Sequence, residues 1–165
     1  MKKMVTEFQN RIQSFAYIHQ TIGHPENIGL VHPTTYLKLI CDHLKYAFLS
    51  PNLRISIDVD IPDHISIDID KAHNVGMLVN EIVTNAIKHA FTDKKDGKIS
   101  IQWTNKKDID VLTISDNGKG MEKNPSWDQP GSFGLKLISI LTSNLDATLK
   151  LDIKSGTRFT FSIPH

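Results

Sequence analysis

Between Val75 and Ala90 apolar side chains recur at steps of three and four: Val75, Leu78, Val79, Ile82, Val83, Ala86, Ile87 and Ala90. On a helix they make one broad face, so the stretch from about Lys71 to Phe91 reads as an amphipathic helix laid against a core. Glu81, Asn85 and Lys88 then fall together on the opposite side, with His89 at its edge. A solvated face favours Glu, Lys, Arg, Gln or Ala, and a mid-helix Asn costs about a few tenths of a kcal/mol because its amide competes for backbone hydrogen bonds. Asn85 is therefore either an ordinary wet-surface residue or one held there by a ligand. A carboxylate and an amide oxygen one turn apart, with a lysine on the same stripe, can hold a hard cation and the phosphates bound to it.

The rest of the chain supplies layers for that helix to pack on. Val5, Phe8, Ile12, Phe15, Ile18 and Ile22 predict an amphipathic helix over residues 4 to 22, broken by Gly23, Pro25, Asn27 and Gly29. A second helix fits Thr34 to Leu49. Arg54 to Asp60 and Ile65 to Asp70 alternate with strand period around a Pro62-Asp63 turn and predict a hairpin. After the Lys71 to Phe91 helix and a polar loop, strands are expected over Lys98 to Thr104 and Ile109 to Ser115. Residues 121 to 130 carry turn residues and read as a loop, Gly131 to Gly134 open a helix, and Thr148 to Ile153 and Arg158 to Ile163 form a last pair of strands. Helices alternating with antiparallel hairpins imply an α+β fold, a two-layer α/β sandwich with a mixed, mainly antiparallel sheet covered by helices.

Composition narrows the function classes. A formal net charge of +1 argues against a nucleic-acid binder driven by phosphate neutralisation. Cys41 is the only cysteine, which leaves no disulfide framework and no cysteine-based zinc site and fits a reducing compartment such as the cytoplasm. No run of about eighteen apolar residues suggests a membrane span. The opening Met-Lys-Lys-Met-Val-Thr-Glu-Phe lacks the apolar block of a signal peptide.

Two further motifs are ambiguous alone. Asp116-Asn117-Gly118 suits a hairpin turn, because Asn-Gly supplies positive φ angles, yet no good partner strand follows Gly120. Its other reading is a carboxylate at a strand end, flanked by glycines that let a flat ligand approach, accepting a hydrogen bond from an exocyclic amine. Gly131 to Gly134 is either a common loop-to-helix junction or a helix N-terminus whose exposed N–H groups attract phosphate. Its spacing is neither the Gly-x-x-x-x-Gly-Lys-Ser phosphate loop nor the Gly-x-Gly-x-x-Gly of dinucleotide folds.

In combination these motifs are more specific. A polar helix stripe with Asn, then strand-Asp-x-Gly-x-Gly, a loop, a glycine-opened helix and Gly156-Thr157 in a final hairpin resembles the ATP-binding domain of the gyrase, chaperone, histidine kinase and MutL superfamily, the Bergerat fold. Asn-Glu-Ile-Val-Thr-Asn-Ala-Ile-Lys-His-Ala-Phe from Asn80 resembles the N box of sensor histidine kinases. Gly134-Leu135-Lys136-Leu137-Ile138 and Gly156-Thr157-Arg158-Phe159 are similar to its later glycine motifs, and Arg11 to Gln20 resembles the second dimerisation helix of the HisKA_2 subgroup. The resemblance implies ATP and Mg²⁺ as cofactors, with Asn85 ligating the metal and Glu81 assisting it. Lys88 would meet phosphate, His89 would pack near the nucleotide and Asp116 would bind the adenine amine. Gly118 and Gly120 would make room for the base, Gly131, Gly134 and Leu135 would flank the phosphate side of the lid, and Thr157 would hydrogen-bond near adenine. Trp127 would either cover the nucleotide or be a chance exposed aromatic.

The same resemblance divides the chain into residues 1–30, a remnant of a dimerisation hairpin, and residues 31–165, the catalytic domain. None of the eight histidines stands in a His-Arg-x-x-Asn-like acceptor context. His19 lies in the stretch resembling the second helix, where a lone histidine reads as structural. The expectation is a piece of a longer kinase, its membrane attachment left open, whose accepting histidine lies upstream, or else a module acting in trans. A response regulator would stand downstream, and the apolar face of residues 4 to 22 is a candidate seam with a second copy. A regulatory partner-switching module and an anti-sigma-type serine/threonine kinase are the competing readings.

Overall fold

A computed structural model of the chain describes Ala16 and residues 30–49, 53–92, 96–122, 124–127 and 131–165. The helix expected over residues 4 to 22 lies outside the described residues except for Ala16, which is helical. Helix α1, Pro33–Phe48, matches the expected second helix to within one residue, with Pro33 in the first turn where its missing N–H costs nothing. It buries Tyr36, Leu37, Ile40, Cys41 and Leu44. Burial pushes the Cys41 thiol up to about 12, so this sulfur is an inert core group. The same desolvation drives the Tyr36 phenol well above its ordinary value.

Helix α2, Ile69–Asn85, begins where the Asp68 carboxylate accepts the Lys71 N–H at 2.7 Å. This cap satisfies one of the orphan donors of the first turn. Asp68→Ala is expected to lower stability by about 0.5–2 kcal/mol in urea unfolding. An unchanged midpoint would show that the cap carries no weight.

The cap also ends strand character early, and the expected hairpin does not form. Strand β1, Leu30–Val31, pairs antiparallel with the short β3, Ile67–Asp68, in a separate two-stranded sheet. Strand β2, Arg54–Asp60, instead runs parallel to β4, Asp96–Lys106, with Ile57 opposite Ile99 and Val59 opposite Ile101. Alternation specifies which face is buried, and Ile55, Ile57, Ile65 and Ile67 are indeed buried. It does not specify the neighbour. A parallel pair needs a crossover long enough to bring the chain back, and α2 lies in that crossover.

Strands β5 (Ile109–Asp116), β6 (Thr148–Asp152) and β7 (Arg158–Pro164) complete a five-stranded sheet of order β2-β4-β5-β7-β6, antiparallel except between β2 and β4. Ile99, Ile101 and Trp103 on β4, Leu112 and Ile114 on β5, and Phe159, Phe161 and Ile163 on β7 share one core with α1, α2 and α3, Phe133–Asn144. The architecture is the α+β sandwich with a mixed, mainly antiparallel sheet. No described helix is long and apolar enough to cross a membrane.

Candidate functional site

After Asn85 the helix widens into a π-helical turn, Ala86–Ala90, a local irregularity found preferentially at functional positions. Asn85, Lys88 and His89 stand where α2 passes into this turn. All three line a cleft of about 820 Å³, together with Asp116, Gly120, Gly134, Leu135 and Thr157. The middle helix, the end of β5, the start of α3 and the start of β7 thus converge on one space. Asn85 and Asp116 open into the same cleft.

Asp116 reaches it because β5 turns its even-numbered residues inward. Asp110, Leu112 and Ile114 are buried, and Asp116 ends that row half-exposed. The Asp116 N–H donates to the Thr157 carbonyl at 2.9 Å, which ties β5 to the start of β7. One carboxylate oxygen of Asp116 accepts the Gly118 N–H at 2.8 Å. Asn117 and Lys98 exchange backbone and side-chain bonds, Asn117 N–H to Lys98 carbonyl at 3.1 Å and Lys98 N–H to Asn117 Oδ1 at 2.8 Å. Asp116-Asn117-Gly118 is therefore a strand end pinned to β4 and not a hairpin turn. Gly118 itself does not line the cleft; a Cβ there would run into Ala90. That close approach lets the Lys119 N–H donate to the Ala90 carbonyl at 2.9 Å, closing the loop onto the π-helical turn.

Glu81 departs from its expected place beside Asn85 on the polar stripe. It is 1% exposed, and Asn80 and Thr84 beside it are also buried. The reason is α3, which returns onto this side of α2: a Cβ on Gly134 would meet the Glu81 carboxylate. Glu81 therefore lies under the cleft and does not line it, and its Oε1 accepts the Asn85 amide N–H at 3.0 Å. That bond turns the Asn85 amide oxygen away from Glu81. Gly131 is not brought into the cleft: it is exposed, with nothing near it for a Cβ to touch. At α3 the Ser132 hydroxyl accepts the Leu135 N–H at 3.3 Å. Trp127 is half-buried against the core cluster and is not among the lining residues.

The cleft also contains residues that sequence reasoning missed. Ile82, Ala86, Ala90 and Phe159 line it from the apolar faces of α2, the π-helical turn and β7, and Lys119, Met121, Glu122, Ser132 and Phe133 line it from the loop and the start of α3. Lys119 was findable, since it lies inside the Asp116 to Gly120 motif, and Met121 follows that motif directly. The apolar lining suits a flat ring, with the Asp116 carboxylate to accept a donor from it. The helix N–H groups at the start of α3, and Lys88 on the wall of the same cleft, suit an anionic tail. Among the described residues no group of three or more His, Cys, Asp or Glu could hold a metal alone. The Asn85 amide oxygen fits Mg²⁺, which takes few protein oxygens and fills the remaining positions with water and phosphate. The Glu81 carboxylate, buried and bonded to the Asn85 amide, holds that amide and does not itself reach the cleft.

The family of histidine kinase-, DNA gyrase B- and HSP90-like ATPases matches residues 70–165, and the histidine kinase family HisKA_2 matches residues 1–48. The chain is 28% identical over 104 residues to Blue-light-activated histidine kinase 2 of Erythrobacter litoralis, covering 62% of this chain and 30% of that protein. It is 25% identical over 171 residues to Sensor histidine kinase PdtaS of Mycolicibacterium smegmatis, covering 94% of this chain and 31% of that protein. The chain thus spans about a third of the length of these curated relatives. Its fold is that of the histidine kinase domain from the Erythrobacter litoralis EL346 blue-light activated histidine kinase, at a TM-score of 0.76 and 22% identity over 94% of this chain and 71% of that one.

Proposed function

Because the chain belongs to the family of histidine kinase-, DNA gyrase B- and HSP90-like ATPases, we propose that it is the ATP-binding catalytic domain of a sensor histidine kinase. It would pass the γ-phosphoryl group of ATP to a histidine carried by another segment or another polypeptide. The observation that carries this reading is the convergence of Asn85 and Asp116 on one cleft with apolar walls and a helix N-terminus at one end.

In this reading Asp116 accepts a hydrogen bond from the adenine amine, steadied by Gly118 and Thr157, while Ile82, Ala86 and Phe159 pack against the base. Asn85 offers its amide oxygen to Mg²⁺, and Glu81 below it holds the amide in that orientation. Mg²⁺ held there would neutralise phosphate charge. Lys88 and the N–H groups that open α3 hold the phosphates, and Gly134 lets that helix end sit close to Glu81 and Asn85. Catalysis of this kind rests on positioning and charge, with little covalent help from the protein.

Residues 1–30 belong, in the same proposal, to a dimerisation segment and residues 31–165 to the catalytic domain. A response regulator receives the phosphoryl group, the apolar face of residues 4 to 22 meets a second copy, and the domain works in the cytoplasm. The HisKA_2 match over residues 1–48 supports a histidine kinase over the anti-sigma type of serine/threonine kinase.

Two measurements test the proposal. A ligand that binds only the folded state adds stability as its concentration exceeds Kd, about 2.7 kcal/mol at a hundredfold excess. Mg·ATP is therefore expected to raise the melting temperature, and no shift at several times millimolar ATP would remove the binding claim. Radiolabelled γ-phosphate, given with a HisKA_2-type acceptor helix, should then yield an acid-labile product. Acid-stable label on a partner would indicate the serine/threonine kinase, and no label a regulator.

A further inference from the structure

Lys88 extends from the π-helical turn to the end of another element. Its ammonium lies 5.0 Å from the centroid of the Phe48 ring. Phe48 is the last residue of α1 and also the last residue of the HisKA_2 match. It is half-buried and packed against the core cluster, so the ring is fixed by groups outside the cleft. Lys88 is itself half-buried and lines the cleft.

A lysine has a flexible four-carbon stem, and a phosphate that recruits it must freeze several rotatable bonds. An aromatic face attracts an ammonium through its quadrupole and needs no carboxylate to do so. A ring at 5.0 Å therefore restricts the stem before a ligand arrives. We propose that Phe48 is a positioning residue for Lys88: its ring, anchored at the end of α1, holds the ammonium beside the cleft in readiness for the phosphates of a bound nucleotide. The proposal rests on the reading of Lys88 as a phosphate contact. It also gives the segment ending in α1 a direct physical hold on the phosphate side of the site, because displacing α1 would displace the ring.

The test is calorimetric titration of the full chain with Mg·ATP and, separately, with adenosine. Phe48→Leu is expected to weaken Mg·ATP binding by about two- to fivefold, because a lysine stem no longer held by the ring has to be ordered when the phosphates bind. Adenosine binding should stay unchanged, and Phe48→Trp should restore Mg·ATP affinity. In a Lys88→Met background Phe48→Leu should add nothing further. Phe48→Met, of similar volume but without a ring, carries the same expectation should leucine unsettle the fold. If Lys88→Met leaves Mg·ATP affinity unaltered, the phosphate reading of Lys88 is wrong and this proposal goes with it. If Lys88→Met weakens binding while the Phe48 variants do not, the positioning role alone is overturned. Equal weakening of Mg·ATP and adenosine would reduce Phe48 to a packing residue and overturn it as well.

Discussion

Asn85→Ala is expected to abolish phosphoryl transfer to a supplied acceptor histidine, with a loss of about two to three orders of magnitude, the scale on which removal of one positioned electrostatic group acts. The alanine lacks the amide oxygen assigned to Mg²⁺, and it removes the N–H that the Glu81 carboxylate accepts at 3.0 Å. Because Glu81 is 1% exposed, losing that donor also weakens the fold, by about 0.5–1.5 kcal/mol for one hydrogen bond. Activity and stability therefore have to be read together. Circular dichroism and the ligand-free melt establish that the variant is folded, and labelling then isolates the chemistry. Labelling within a few-fold of wild type in a folded variant would refute the role assigned to Asn85.

Trp103→Ala is expected to cost about 3–5 kcal/mol, the usual range for emptying a large aromatic site in a core. Trp103 is 1% exposed and stands opposite Leu112 in the middle of the sheet. The loss is a large fraction of the ~5–15 kcal/mol that holds a domain of this kind together. It should appear as a much lower urea midpoint at unchanged slope. Trp103→Phe should be milder for two reasons. It keeps most of the ring volume, and it removes an indole N–H that has no acceptor among the described residues. A shift under about 1 kcal/mol for Trp103→Ala would mean that the site collapses without a cavity.

Local periodicity carried much of the fold. The three- and four-residue spacing in α2 and the alternation in β4, β5 and β7 each identified an element to within a few residues, and the buried isoleucines of β2 and β3 face the core as their pattern requires. The partner of β2 was not legible, because alternation reports a face and pairing depends on where a crossover delivers the chain. Glu81 illustrates a second limit. Its burial comes from α3, which returns much later in the sequence and lays Gly134 against it. Asn85 was visible as a propensity misfit and Asp116 as a strand-end carboxylate, and both line the cleft. Phe159 escaped notice because an inward aromatic on a strand looks the same whether it faces core or ligand. Gly131 was assigned with Gly134 to the phosphate side of the lid through the resemblance, and it stands away from the cleft.

The widened coil at Ala86–Ala90 has a consequence for how this region can vary between related chains. An α-helical path advances the same distance with fewer residues than a π-helical one, so deleting a single position would let the coil rewind. The residues after it would keep their bearing, because the widened turn already absorbs one extra position. Phe91, now 2% exposed, would keep its seat, while Lys88 and His89, inside the rewound stretch, would turn relative to the cleft. Substitutions here change side chains, whereas a one-residue gap re-aims those within the turn and leaves the rest of the chain in place.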